Sequence, residues 1–248
     1  MSDTVIHIDR VSKRYKGSAV SSLDDVSLYI LKGEKFGIFG PNGAGKTTLI
    51  SLLCGLFEPT SGTVAFELNG TSNTPRQVRA HIGYVPQEYA FFQELTPVQN
   101  LRYFGALHGI ASSELNLRIT QLLQILGLEH VANTKTHTFS GGMKRRVNLA
   151  IGIINDPAVL FLDEPTVGVD VQSKTAIMDY LETLNANGTT IIYTSHHLTE
   201  AEEFCDRIAL LDHGKLVAFD TLEQLFRQHG VGNLEQFFLK LTGTDYRD

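Results

Sequence analysis

The chain has 248 residues, of which 42% are hydrophobic and 19% charged, with a formal charge of −6. This is the composition of a globular protein long enough for one sizeable domain, or for a core with an inserted subdomain. The acidic balance argues against a general nucleic-acid binder and against unaided adsorption to anionic lipid. The apolar runs are too short to span a bilayer, and MSDTVIHIDR lacks the pattern of a secretory signal.

In chain order, VIHIDRV and VSLYI (Val26–Ile30) read as two early strands on an antiparallel edge. FGIFG (Phe36–Gly40) is a short apolar strand entering a glycine loop, and KTTLISLLCGL is the helix after it. TVAFEL (Thr63–Leu68) and HIGYV (His81–Val85) are further strands. From Thr96 to Ile154 the pattern turns helical: Thr96 and Pro97 form a helix start, and SELNLRITQLLQIL carries leucine and isoleucine at helical spacing. Strands and helices then alternate: AVLFL, a helix over Val171–Leu184, TTIIYTS, a short helix from Leu198, RIALL and KLVAF. DHGK (Asp212–Lys215) is the turn between the last two strands, and two small amphipathic helices follow Thr221. Short buried strands alternating with helices predict an α/β core with a mainly parallel sheet. Two cysteines, Cys54 and Cys205, cannot make a disulfide framework and are expected to be small buried residues in a cytosolic protein.

GPNGAGKT satisfies every fixed position of the phosphate-loop motif between a strand and a helix. Its residues Gly40, Pro41, Asn42, Gly43, Ala44 and Gly45 can curl backbone N–H groups around phosphate oxygens at a positive helix end. Lys46 is expected at the β- and γ-phosphates, Thr47 at Mg²⁺, and Thr48 beside them. VLFLDEP (Val159–Pro165) is a buried strand ending in two carboxylates. Asp163 is placed to hold Mg²⁺, and Glu164 to polarise an attacking water. Together these motifs indicate a P-loop nucleotidase, with no guanine-recognition motif to favour GTP.

THTFSGGMKRR (Thr136–Arg146) narrows the class, because paired glycines at a helix start imply a close backbone approach. With the motifs around it, the chain resembles the nucleotide-binding subunit of an ATP-binding cassette (ABC) transporter from Val5 to Phe219. The resemblance implies a P-loop NTPase core with an N-terminal antiparallel β subdomain and an inserted α-helical subdomain. The nucleotide-binding domain would span 1–220, with the insertion at about 88–155 and a helical tail over 221–248. It also implies that Ser140, Gly141 and Gly142 contact the γ-phosphate of ATP held by a second subunit. Tyr15 matches the residue that stacks on adenine. Gln87 matches the glutamine at Mg²⁺ and the attacking water, and Asp170 the aspartate that crosses the dimer interface. His196 matches the histidine at the γ-phosphate. Glu164, His196 and Gln87 are thus the expected catalytic set, with ATP and Mg²⁺ as cofactors.

The position after the glycines is Met143, where the commonest family form has glutamine. Methionine occurs in the branch of drug, antibiotic and polysaccharide exporters, which the tail NLEQFFLKLTGTDYRD also resembles. The expected partners are a second ATPase subunit, identical or homologous, and an integral membrane permease that holds the chain at the inner face of the membrane. No nucleic-acid partner is expected. The aromatic stretch EYAFFQELT either lines the groove for the permease or packs in the core. Lys144, Arg145 and Arg146 read as a solvated helix face. An importer ATPase and an ABC ATPase acting on an assembly scaffold are the alternatives.

Overall fold

The computed structural model describes residues 4–68, 70–195 and 197–243. The elements begin with strands β1 (Thr4–Lys13), β2 (Leu23–Leu31) and β3 (Lys35–Phe39), then helix α1 (Lys46–Leu53). Strands β4 (Ser61–Leu68), β5 (Thr71–Asn73) and β6 (Ile82–Val85) precede helices α2 (Pro97–Leu107), α3 (Ser112–Ile125) and α4 (Gly141–Gly152). Strand β7 (Val159–Asp163), helix α5 (Val171–Ala186), strand β8 (Thr190–Thr194) and helix α6 (Leu198–Phe204) follow. The last elements are β9 (Arg207–Asp212), β10 (Lys215–Thr221), α7 (Leu222–His229) and α8 (Leu234–Thr242).

The chain forms two compact units, Met1–Arg79 with Thr190–Asp248, and Ala80–Thr189. In the first, β2, β1, β4 and β5 make an antiparallel sheet in that order. The early strands thus belong to an antiparallel sheet of their own, the N-terminal β subdomain that the resemblance implied. Alternation builds it, since Ile6 and Ile8 turn inward while His7 and Asp9 face outward. Strand β5 has no apolar residue, so hydrophobic periodicity gave no sign of it. The same unit holds β3 between β8 and β9, both parallel to it, with β10 antiparallel at the edge of β9. Strand β8 is buried along its whole length, the expected state of a strand covered on both faces. Between β9 and β10, His213 and Gly214 have φ of 47° and 77°, as a two-residue hairpin turn requires.

In the second unit β6 and β7 run parallel. The helix start at Thr96 is a full capping box: Gln99 N donates to Thr96 Oγ1 at 3.2 Å, and Thr96 N donates to Gln99 Oε1 at 2.9 Å. Helix α3 buries Leu115, Ile119, Leu122 and Leu123, the stripe that its leucine spacing foretold.

One buried ion pair stands out in the first unit. Arg207 Nη1 lies 3.1 Å from Glu34 Oε2, and its guanidinium sits 4.6 Å from the ring centres of both Tyr29 and Phe219. Burial raises the Glu34 pKa, against the opposing pull of the Leu31 amide and the Arg207 charge. Removing the cation alone should therefore be costly: Arg207→Met is expected to lose about 3–5 kcal/mol at neutral pH. A carboxyl with a raised folded-state pKa contributes stability at low pH and loses it as pH rises through that pKa. The deficit of Arg207→Met should accordingly shrink as pH falls below about 4, where Glu34 becomes protonated in the unfolded state as well as the folded one, and widen toward pH 7. Urea unfolding of the two proteins across this range measures it; a gap independent of pH would contradict the assignment.

Candidate functional site

The first unit carries the phosphate loop. Gly40, Gly43 and Gly45 all have positive φ, at 151°, 76° and 106°. A side chain at Gly40 would place Cβ 2.2 Å from Leu211 O, and one at Gly45 would come 2.5 Å from Ser22 O. At these two glycines the packed side of the loop leaves no room for a side chain. Helix α1 starts at Lys46 without a capping side chain and without an acid in its first turn, as suits a helix end that meets an anion. Lys46 Nζ folds over the loop, donating to Gly40 O at 2.7 Å and Pro41 O at 3.1 Å. Tyr15 stands beside α1, its hydroxyl 3.4 Å from Thr48 Oγ1 and its ring edge-on to Phe57. At 39% exposure, that ring offers surface for stacking.

The second unit carries the carboxylates. Strand β7 ends at Asp163, and Glu164 then takes φ of 51°, an uncommon conformation for a residue with a side chain. Its carboxylate is buried, and Gln87 Nε2 donates to Glu164 Oε2 at 2.9 Å. With that amide nitrogen engaged, the Gln87 amide oxygen is the atom left to serve as a ligand. The Asp163 carboxylate and the Gln87 amide oxygen are hard oxygen donors of the kind Mg²⁺ takes.

The start of α4 lies in the same unit. Ser140 caps it, accepting from Met143 N at 3.3 Å. Gly141 is exposed, and a Cβ there would lie 3.1 Å from Gly168 O. Gly142 differs: its Cβ would meet Ser173 Oγ at 2.4 Å and Asp170 Oδ2 at 2.7 Å. Asp170 caps α5, accepting from Ser173 N at 2.9 Å and Ser173 Oγ at 2.8 Å. These bonds hold its carboxyl below the usual carboxylate range. Ser140, Met143, Arg146 and the start of α5 border a hollow of about 330 Å³. The α5 cap thus gives Gly142 a reason within its own chain for lacking a side chain, beside the docking expected of both glycines, while Gly141 is exposed.

The basic run also departs from its reading as a solvated face. Arg145 is only 3% exposed, and its guanidinium donates to Gln87 O at 2.8 Å and Pro86 O at 3.3 Å. Burial pushes its pKa down, while Tyr89, Glu164 and Asp163 pull it back up. Asn148, one turn along, joins Pro86 O and Ala90 N to the same helix, and Tyr89 Oη donates to Gly141 O at 3.3 Å. Sequence reasoning misread Arg145, passed over Asn148 and gave Tyr89 no role of its own. The signal was polar residues at helical spacing among Val147, Leu149 and Ala150, on a face the helix must bury. Of the aromatic stretch, Phe92 is exposed, edge-on to Tyr103 and stacked on Phe104, so it is not core. Cys54 and Cys205 are buried as expected, and burial raises the Cys205 thiol far out of the reactive range. His196 lies outside the described residues, as does the end of the tail beyond 243.

Comparison with known proteins gives one consistent picture. The ABC transporter family model matches residues 23–167. A linearmycin resistance ATP-binding protein of Bacillus subtilis is 38% identical, over 94% of this chain and 74% of its own length. A Nod factor export ATP-binding protein of Paraburkholderia xenovorans is 38% identical, over 88% of this chain and 71% of its own length. Among solved structures, a dimeric ATP-binding cassette in a post-hydrolysis state with ADP and Pi superimposes with a TM-score of 0.78. It is 28% identical and the match covers 88% of this chain and 98% of that one.

The two glycines of α4 should behave differently. Gly142→Ala must displace the Asp170–Ser173 cap and is expected to lose about 1–3 kcal/mol, the usual range for overpacking. Gly141→Ala meets one carbonyl that can yield by a few tenths of an ångström, and should lose less than about 1 kcal/mol. Urea unfolding of both variants decides; equal losses would show that α5 does not press on Gly142.

Proposed function

This chain belongs to the ABC transporter family, as a subunit that binds and hydrolyses ATP, and on that premise we propose that it powers an exporter. Two such subunits, identical or homologous, would close head to tail on two ATP molecules. Each gives its phosphate loop to one nucleotide and Ser140, Gly141 and Gly142 to the other, an isologous arrangement. Reopening after hydrolysis would pass through the helical segment at about 88–155 and its exposed aromatics to a membrane permease. No helix among the described residues is long and apolar enough to cross a membrane. Export is favoured because one relative is an export ATPase and another confers antibiotic resistance.

The observation that carries the catalytic part of this reading is the buried Glu164 carboxylate, set at positive φ and held by Gln87. A carboxylate so fixed can take a proton from a water as its oxygen bonds to the γ-phosphorus and the bond to the ADP oxygen breaks. Lys46 neutralises phosphate charge, the N–H groups of Gly43–Thr47 orient the phosphates, and Tyr15 stacks on the adenine. Mg²⁺, held by Thr47, Asp163 and Gln87, would add charge neutralisation across the β- and γ-phosphates. His196 is assigned to the γ-phosphate on its sequence motif alone.

Glu164→Gln keeps the shape and removes the base. It should lower the rate of phosphate release about 100-fold or more while leaving equilibrium ATP binding unchanged. Hydrolysis at the normal rate would remove Glu164 from the mechanism.

The split site has its own test. Gly141→Asp sets a carboxylate where the second subunit's γ-phosphate would dock, so it should bind ATP normally as a monomer and fail to hydrolyse it. Mixing it with Lys46→Ala should restore about one working site per mixed dimer, from one intact phosphate loop and one intact signature. Loss of ATP binding by a folded Gly141→Asp monomer would mean that Gly141 serves the chain's own pocket.

A further inference from the structure

We propose that Arg145 is a positioning residue for ATP hydrolysis, its guanidinium fork bridging the loop of Gln87 and the turn of Glu164 so that these two side chains meet. The proposal rests on the reading that Gln87 and Glu164 act on ATP. One nitrogen, Nη1, donates to the carbonyl of Gln87 itself at 2.8 Å and to Pro86 O at 3.3 Å. The other, Nη2, reaches Val167 O at 3.5 Å. Val167 closes the turn that Glu164 opens, donating its N–H to Glu164 O at 3.4 Å. The Tyr89 ring, 5.1 Å from the guanidinium carbon, backs the fork from the side. A planar group with fixed donors is suited to holding two backbone segments at a set separation, which a flexible ammonium is not.

Stability does not explain this residue. Burying a guanidinium costs desolvation, and its Nε is buried without a hydrogen-bond partner. An apolar side chain of similar length would pack on α4 at lower cost. The Gln87 loop would also keep much of its anchorage without Arg145, because Asn148 holds Pro86 O at 3.0 Å and Ala90 N at 3.1 Å. What Arg145 adds is a bond to the Gln87 carbonyl and a reach to the far turn. Both bear on the 2.9 Å contact between Gln87 and Glu164.

The experiment compares wild type, Arg145→Lys, Arg145→Met, Gln87→Ala and the double variant Arg145→Lys/Gln87→Ala, with Glu164→Gln as control. Phosphate release gives kcat and KM, and equilibrium titration gives ATP affinity. Both Arg145 variants should lose about 10- to 100-fold in kcat, the scale of a small misplacement at a reacting centre, with ATP affinity changed less than about twofold. The double variant should be no slower than the slower single one, since both act at one contact. A purely structural role would instead let the two losses multiply, or lower ATP affinity together with kcat, and either result overturns the proposal. So does a normal kcat for Arg145→Lys, which would reduce the role to charge. Should Arg145→Met fail to fold, Arg145→Lys and the double variant still decide. Normal hydrolysis by Glu164→Gln would overturn the catalytic reading itself, and this inference with it; a Glu164-dependent rate with multiplying losses overturns this inference alone.

Discussion

A phosphate loop holds a polyphosphate by bringing several peptide N–H groups together at hydrogen-bonding distance, and side chains on the converging backbone would keep it out. That constraint governs the first unit. It demands positive φ at Gly40, Gly43 and Gly45, and such a backbone holds its shape only if its surroundings leave it no alternative. The surroundings here are carbonyls and small turns: Leu211 O behind Gly40, Ser22 O behind Gly45, and Gly214 N donating to Ala44 O at 3.0 Å. The parallel strands β3, β8 and β9 bring these pieces together, so the sheet acts as the mould for the loop.

The second unit meets a related demand by different means. Its reactive group is a carboxylate at the end of β7, and Glu164 is set in place by a strained backbone and a neighbouring amide rather than by bulk. Helix α4 serves that arrangement with polar side chains at positions a packing helix would normally give to leucine or alanine. Arg145 and Asn148 spend their donors on the carbonyls of the Gln87 loop. Gly142 lets the cap of α5 come close. The start of the helix is thus tied to both neighbouring segments while Gly141 still faces outward.

The phosphate loop was legible in the sequence because its geometry is local: each glycine and the lysine stand at fixed spacing between a strand and a helix. The helix start at Thr96 and the turn at Asp212–Lys215 were legible for the same reason, since caps and tight turns are set by adjacent residues. The approach of Gln87 to Glu164 could be anticipated only through family motifs, because nothing local joins two loops so far apart in the chain. Arg145 was misread because charge predicts exposure unless distant carbonyls are waiting, and those carbonyls belong to Pro86 and Gln87. The second reason for glycine at 142 was not legible, because the Asp170–Ser173 cap that presses on it lies well along the chain. Strand β5 escaped notice because its residues are polar and its pairing with β4 is a matter of backbone alone.

The parts that shape the phosphate loop reach the ribosome's exit at very different times. Ser22 emerges before the loop, but Leu211 and Gly214 are made only after the whole of the second unit has been synthesised. A nascent chain that has grown through Thr189 already contains every residue of GPNGAGKT, yet has neither β8 nor β9 to set beside β3 and no hairpin turn to support Ala44. Competence to grip nucleotide is therefore acquired late, when the C-terminal strands arrive and complete the sheet around β3. Until then the helices of the second unit have only their own contacts to fold on, and the loop at the head of the molecule is sequence without a shape.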